Sequence, residues 1–163
     1  MSTRRVQAPR AGEQTLSNAN YSTMSAGSIC SREVDTANYS ETVLDAARRM
    51  RDRQVGALIV VDDMTPVGIL TDRDLTVRVL AVGLDPQATR VSQVMTPSPT
   101  TIREDDSIQA GVSYMRAGRF RRLPVVAHNG RLVGILAIDD VLELVAEELA
   151  DIGHLPKGES PHD

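Results

Sequence analysis

At 163 residues, with 41% apolar and 25% charged side chains, the chain suits one ordinary soluble domain or a tight pair of small ones. Aromatic residues make up only 2%, and the net charge is −4. Both argue against a nucleic-acid binder, the first by removing stacking platforms and the second by removing attraction to phosphate backbones.

No apolar run reaches the roughly 18 residues of a membrane-spanning helix. No apolar segment follows the early arginines to make a secretory signal. Cys30 is the only cysteine and has no internal disulfide partner, so a reducing, cytoplasmic setting is expected. His128, His154 and His162 lie apart, which argues against a dedicated metal site.

In chain order, Met1 to Thr23 is polar, without an apolar period, and is expected to be a flexible tail. Its Arg4, Arg5 and Arg10 form a weak basic patch. The stretch "ETVLDAARRMRDR" sets Val43, Ala46, Ala47 and Met50 on one face and predicts an amphipathic helix. Arg48, Arg49, Arg51 and Arg53 then form its solvated face. The run "GALIVVDD" predicts a buried strand, "DDMTP" a turn, "VGILT" a returning strand, and "DLTVRVLAVG" a second helix.

The segment "LDPQATRVSQVMTPSPTTI" carries Pro86, Pro97 and Pro99 but keeps Val91, Val94 and Met95 at apolar spacing. It is expected to be an ordered connector, with "VMTP" introducing the next unit. That unit repeats the first. Ile108 and Met115 each stand 65 residues beyond Val43 and Met50, with Gly111 and Val112 between them at the same helical spacing. "RRLPVVAHNG" is the buried strand, with a hairpin signal at Asn129-Gly130. "VGILA" returns with a 66-residue offset from "VGILT", so the turn has gained one residue.

The unit is therefore β-α-β-β-α, used twice. One copy buries too little surface to be comfortable alone, and two packed sheet to sheet remove that difficulty. The resulting divisions are a tail at 1–23, a first repeat at 24–83, a connector and second repeat at 84–153, and a second flexible tail at 154–163. The last helix, "DDVLELVAEELADIG", carries a broad stripe of Val141, Leu142, Val145, Leu149 and Ile152. Such a stripe packs on its own sheet or on another chain.

The junction "GILTDRD" returns as "GILAIDD", with Asp74 and Asp140 each six residues after Gly68 and Gly134. Two readings are open. Thr71 suits an N-cap, with Asp74 closing a weak capping box and favouring the helix dipole. Alternatively the carboxylate accepts hydrogen bonds from both hydroxyls of a ribose. Gly68 and Gly134 then allow a ligand or a facing backbone to come close. Ala137 cannot cap through its side chain, which weakens the first reading in the second copy.

The doubled unit, "VMTP", "RRLPVV" and the paired "GIL(T/A)xxD" motifs resemble a pair of cystathionine-β-synthase (CBS) domains, or Bateman module. The run "LTDRDLTVRVLAVGLDP" is similar to stand-alone bacterial CBS-pair proteins of the hypoxic-response type. The resemblance implies an α/β (α+β) fold of two CBS repeats packed as a pseudo-two-fold pair. It also implies a non-catalytic regulatory role, with an adenine nucleotide held between the repeats and ribose contacts at the Thr and Asp of the motif.

AMP or ATP stands ahead of NAD or S-adenosylmethionine, and no catalytic cofactor is implied. One expected cleft joins Gly68, Thr71, Arg73 and Asp74 to Phe120, Arg121, Arg122 and Leu123. The other joins Ala137 and Asp140 to Val55, Gly56 and Ala57. Adjacent strand residues face opposite sides, so only one of Arg121 and Arg122 can face a given cleft. The expected partners are a second copy of the chain and an effector protein, with a ligand-independent interaction module as the alternative. No nucleophile with a base, P-loop or catalytic carboxylate pair is present to suggest an enzyme.

Overall fold

Two three- or four-stranded sheets face one another across an apolar seam, each carrying its helices on the outer side. The computed structural model describes residues 24–153. The expected tails, with Arg4, Arg5, Arg10, His154 and His162, lie outside the described residues.

The first half runs through a short helix α1 (Ala26–Ile29), β1 (Thr36–Asn38), α2 (Val43–Arg53), β2 (Ala57–Asp62) and β3 (Thr65–Thr71). It ends in α3, one α-helical turn at Asp72–Asp74 that passes directly into a π-helix at Leu75–Leu80. The second half repeats the order with α4 (Val91–Val94), a short β4 (Thr96–Pro97), β5 (Ile102–Arg103), α5 (Ile108–Gly118), β6 (Arg122–Val126), β7 (Leu132–Ala137) and α6 (Ile138–Gly153). The β-α-β-β-α unit is thus present twice, in a mixed α+β fold.

Local chemistry explains where the elements start and stop. Thr42 and Ser107 cap α2 and α5 by accepting the N–H of Asp45 and Ala110, each at 3.2 Å. Both helices end on a left-handed residue, Gln54 and Arg119, each at φ 56°. The Thr76 hydroxyl donates to the Asp72 carbonyl at 3.0 Å, competing for an acceptor that an α-helix would use internally.

The two hairpins differ. Asp63 and Met64 both take positive φ (43° and 63°) in a tight two-residue turn. At the Asn129-Gly130 signal only Gly130 is left-handed, at φ 80°, and the Asn129 side chain accepts the Arg131 N–H. The residue gained in the second turn relaxes the geometry that the signal suggests.

Alternation along the strands makes three cores. Leu58, Val60 and Leu70 face α2, the π-helix and α4 together with Val43, Ala46 and Met50. Leu123, Val125 and Leu136 face α1, α5 and α6 with Ile102, Ile108 and Met115. Between the sheets lie Ile59, Val61 and Leu132, flanked by Val34, Ile69 and Ile135. Burial of each such side chain contributes roughly 1.5–3 kcal/mol, so the seam joins the halves firmly.

The connector is ordered, and in space it packs on the first half. Val91 and Val94 fill the core of the first half, and β4 lengthens the first sheet beside β3. The leading arm of the chain does the reverse, since Ala26 and Cys30 fill the core of the second half and Ser31 bridges Ile135. The exchange is symmetric bond for bond. Ala26 N–H donates to Asp106 and Gly27 N–H to Glu104, while 65 residues on Val91 N–H donates to Glu41 and Ser92 N–H to Tyr39. Each half is completed by the segment that precedes the other.

Gly68 and Gly134 mark the crossing points of these arms. The Met95 sulfur lies where a Cβ on Gly68 would sit, and a Cβ on Gly134 would come 2.7 Å from the Ser31 carbonyl oxygen. The glycines therefore admit the chain's own arm. Burial is the main force pushing the Cys30 thiol above its ordinary value, with Arg32 opposing it. Cys30 is expected to react slowly with a thiol reagent in the folded protein and quickly in urea. Because its folded pKa is raised, its contribution to stability is full below the unfolded value near 9.0 and is lost as pH rises through the folded one. Fast native-state labelling would contradict this placement.

Among the helix arginines, Arg49 leaves the expected solvated face. It forms a two-bond pair with Glu41 (2.6 and 3.0 Å) and donates to the Thr36 carbonyl, tying α2 to β1. The hydrogen bond to Glu41 raises its pKa. The last stripe also divides. Val141 is buried, Val145 half-buried, and Leu142 and Leu149 are exposed; the Ile152 side chain lies outside those described.

Candidate functional site

The repeated junction is built around a cap in both halves. Thr71 accepts the Asp74 N–H at 3.1 Å, and Asp74 Oδ2 accepts the Thr71 N–H at 2.9 Å and its hydroxyl at 2.8 Å. This is a complete capping box with Asp in the place of Glu or Gln. Asp74 Oδ1 faces Arg78 at 3.5 Å. In the second half Asp140 Oδ2 accepts the Ala137 N–H at 3.2 Å, so the carboxylate's share of the box survives without the hydroxyl. That shared bond explains why the Asp recurs when Thr71 becomes Ala137.

The two carboxylates should therefore differ in value. Asp74→Ala removes two hydrogen bonds and an ion pair and is expected to cost about 1–2 kcal/mol, whereas Asp140→Ala removes one hydrogen bond and is expected to cost about 0.5–1 kcal/mol. Urea unfolding of both variants gives the order. Equal losses would contradict it.

Beside the first junction a cleft of about 380 Å³ opens between the sheets. Val34, Ile59 and Ile69 of the first half and Ile135 of the second line it with apolar surface. Polar groups come from Glu33, Asp35, Gln54 and Arg122, and the backbone at Val55, Gly56 and Ala57 completes the wall. Strand alternation puts Ala57, Ile59, Ile69 and Thr71 on this face, opposite Arg122, Ile135 and Ala137.

The expected grouping of residues changes accordingly. Ala57 pairs with Thr71 within the first sheet, and Arg122 pairs with Ala137 within the second. Val55, Gly56 and Ala57 thus belong to the same sheet end as Thr71, and across the cleft they meet Arg122, the strand partner of Ala137. Two expected lining residues are corrected. Leu123 is 1% exposed and points into the second core, and Gly68 lies under Met95.

Arg121 pairs with Asp139 at 2.8 Å on the exposed surface, so Arg122 is the member of the pair that reaches the cleft. Phe120 is exposed with its ring over Gly118, and Arg73 is exposed. Asp140 lines a separate cavity on the outer side, with Ile29 and Ser31.

The sequence reading missed Glu33, Val34, Asp35 and Gln54. They precede β1 and β2, where no motif marks them; only the apolar Val34 among polar neighbours gives a signal. Asp72 was also missed. Its N–H donates to the Gly56 carbonyl at 3.0 Å, and its carboxylate lies against Gly56 at the cleft edge.

Comparison with known proteins places this geometry. A CBS-domain family model matches residues 26–81 and 91–147. The uncharacterized protein MK0525 of Methanopyrus kandleri is 33% identical over 122 residues, which cover 74% of this chain and 62% of that protein. Among relatives of several lengths, the chain spans only 20% of the Arabidopsis thaliana protein CBSCBSPB2. The CBS domain-containing protein YhcV of Bacillus subtilis is 35% identical over 128 residues, 75% of this chain and 90% of that one.

Among solved structures, Hypoxic Response Protein I with two coordinated zinc ions aligns with a TM-score of 0.66 at 32% identity, covering 82% of this chain and all of that one. Among the described residues here, no three His, Cys, Asp or Glu side chains gather as a metal site. CBSX2 of Arabidopsis thaliana in complex with AMP aligns with a TM-score of 0.65 at 27% identity, covering 77% and 98%. The cytosolic domain of the Mg2+ channel MgtE in complex with ATP aligns with a TM-score of 0.65 at 32% identity, covering 77% and 50%. The chain belongs to the CBS-domain family and carries two CBS domains arranged as a CBS pair.

Proposed function

We propose that the protein is a non-catalytic sensor that binds an adenosine-containing nucleotide in the cleft beside Gly56. The observation that carries this reading is the cleft itself. Its volume of about 380 Å³ lies in the range of small-molecule sites, its walls are branched aliphatic side chains, and its polar groups sit at the rim. This reading assigns the purine base to the space between Val34, Ile59, Ile69 and Ile135, and the nucleotide's phosphate to the Arg122 side. A ribose at Thr71 and Asp74 takes over hydrogen bonds now made by the capping box. The AMP and ATP complexes of related CBS proteins support the ligand class.

The rim favours a monophosphate. Arg122 is the one cation among the lining residues, and Glu33 and Asp35 are both acidic. A triphosphate adds charge that these carboxylates repel. AMP is therefore expected to bind more tightly than magnesium-free ATP, and NAD and S-adenosylmethionine complete the set of adenosine ligands to be compared. Isothermal titration against all four tests the reading. Saturable AMP binding supports it, and no saturable heat with any of them rejects it.

Self-association belongs to the same reading. Val77, Leu80 and Val82 of the π-helix and its following turn are 52%, 77% and 66% exposed, next to an apolar hollow floored by Leu44, Ala47 and Leu75. Leu142 and Leu149 make a corresponding patch on α6. A homodimer that covers these patches, in the cytoplasm and with an effector protein reading the bound state, is the proposed working form. Sedimentation at micromolar concentration as a strict monomer would count against the dimer. Among the described residues no helix is long and apolar enough to cross a membrane.

A further inference from the structure

We propose that the cavity between α6 and the leading arm is a binding site for a guanidinium group. The cavity, about 280 Å³, is lined by Ile29 and Ser31 of the arm and by Asp140, Glu143, Leu144 and Glu147 of α6.

The first half shows the same place filled. The internal repeat equates these positions with Val94, Thr96, Asp74, Val77, Arg78 and Ala81. There the Arg78 guanidinium donates to the Val94 carbonyl at 2.6 Å and to the Thr96 hydroxyl at 3.4 Å, and it faces Asp74 Oδ1 at 3.5 Å. The counterpart of Arg78 is Leu144, which brings no cation.

The holding groups nevertheless remain. Asp140 keeps the carboxylate, Ser31 the hydroxyl, and Ile29 the helix-end position. One oxygen of Asp140 accepts the Ala137 N–H; among the described residues no hydrogen bond or ion pair reaches the other. The second half also adds charge. Glu143 and Glu147 replace Val77 and Ala81, on the same helix face as Asp140. An internal cation has thus been exchanged for a cavity with three carboxylates.

A guanidinium suits this lining better than an ammonium. Its planar fork can reach a carboxylate and a neighbouring hydroxyl or carbonyl together, as Arg78 does in the first half. None of the lining residues is shared with the inter-sheet cleft, so the site stands independently of the nucleotide reading. The group can come from a free guanidino compound or from an arginine of a polypeptide, and the chemistry recognised is the same.

The test is an NMR titration of the full-length protein with argininamide, with lysinamide, and with an amidated Gly-Gly-Arg-Gly peptide. Saturable shifts are expected at the amides of Ser31, Asp140 and Glu143, stronger for argininamide than for lysinamide. The double variant Glu143→Gln, Glu147→Gln changes two exposed residues and is expected to weaken binding about fivefold. Leu144→Arg fills the cavity from within and is expected to abolish binding. Tighter binding of the peptide than of argininamide supports a polypeptide arginine, and equal or weaker binding supports a free compound. No saturable shift at these amides up to about 20 mM ligand would overturn the proposal, since weaker binding is below useful affinity. Binding that ignores the double Gln substitution would overturn it equally.

Discussion

Leu136→Ala is expected to lower the unfolding free energy by about 3–5 kcal/mol, the upper range for an aliphatic truncation in a closed core. Leu136 is fully buried, and its Cδ2 lies 2.7 Å from where a Cβ on Gly111 would stand, so α5 is seated directly on it. The same core holds Ala26 and Cys30 from the exchanged arm, so the cavity loosens the arm as well as the helix. Gln109→Ala is the control. Gln109 is exposed on α5, outside both patches and the cleft, and its replacement is expected to change stability by less than about 0.5 kcal/mol. Urea unfolding measures both. A loss below about 1 kcal/mol for Leu136→Ala would mean that the second core is not closed as described.

Ala57→Phe is expected to weaken AMP binding by at least tenfold, about 1.4 kcal/mol, with little change in melting temperature. Ala57 lines the cleft and shares the face of Ile59, so an added ring enters the space assigned to the base. The position is half-buried at the start of β2 and outside the three cores, which keeps the folding cost small. Titration of the variant beside the parent protein gives the ratio. Unchanged affinity would place the ligand elsewhere.

Much of this architecture is legible in the sequence because the repeat supplies its own alignment. Val43 with Ile108 and Met50 with Met115 carry the same periodicity, and these residues are buried in both halves. The caps at Thr42 and Ser107 follow from local hydrogen bonding, which depends only on neighbours. The Asp of the repeated junction could be read as a cap for the same reason.

What stayed hidden depends on contacts distant in the chain. Val91 and Val94 lead into the second half along the chain, and in space they fill the first core. Nothing in their spacing says which core they enter. Gly68 and Gly134 look like ligand positions until the crossing arms are seen above them. The pairing of Ala57 with Thr71 is a matter of sheet register, and the two repeats offer both choices equally. The cleft rim at Glu33, Asp35 and Gln54 comes from segments before strands, where one sequence carries little pattern.

The most direct test of the account is a crystal structure of the protein grown with saturating AMP. The account predicts the adenine between Ile59, Ile69 and Ile135, with the phosphate on the Arg122 side of the cleft. Nucleotide bound against Phe120 and Arg121 on the outer surface, or a cleft left without nucleotide at saturation, would contradict it.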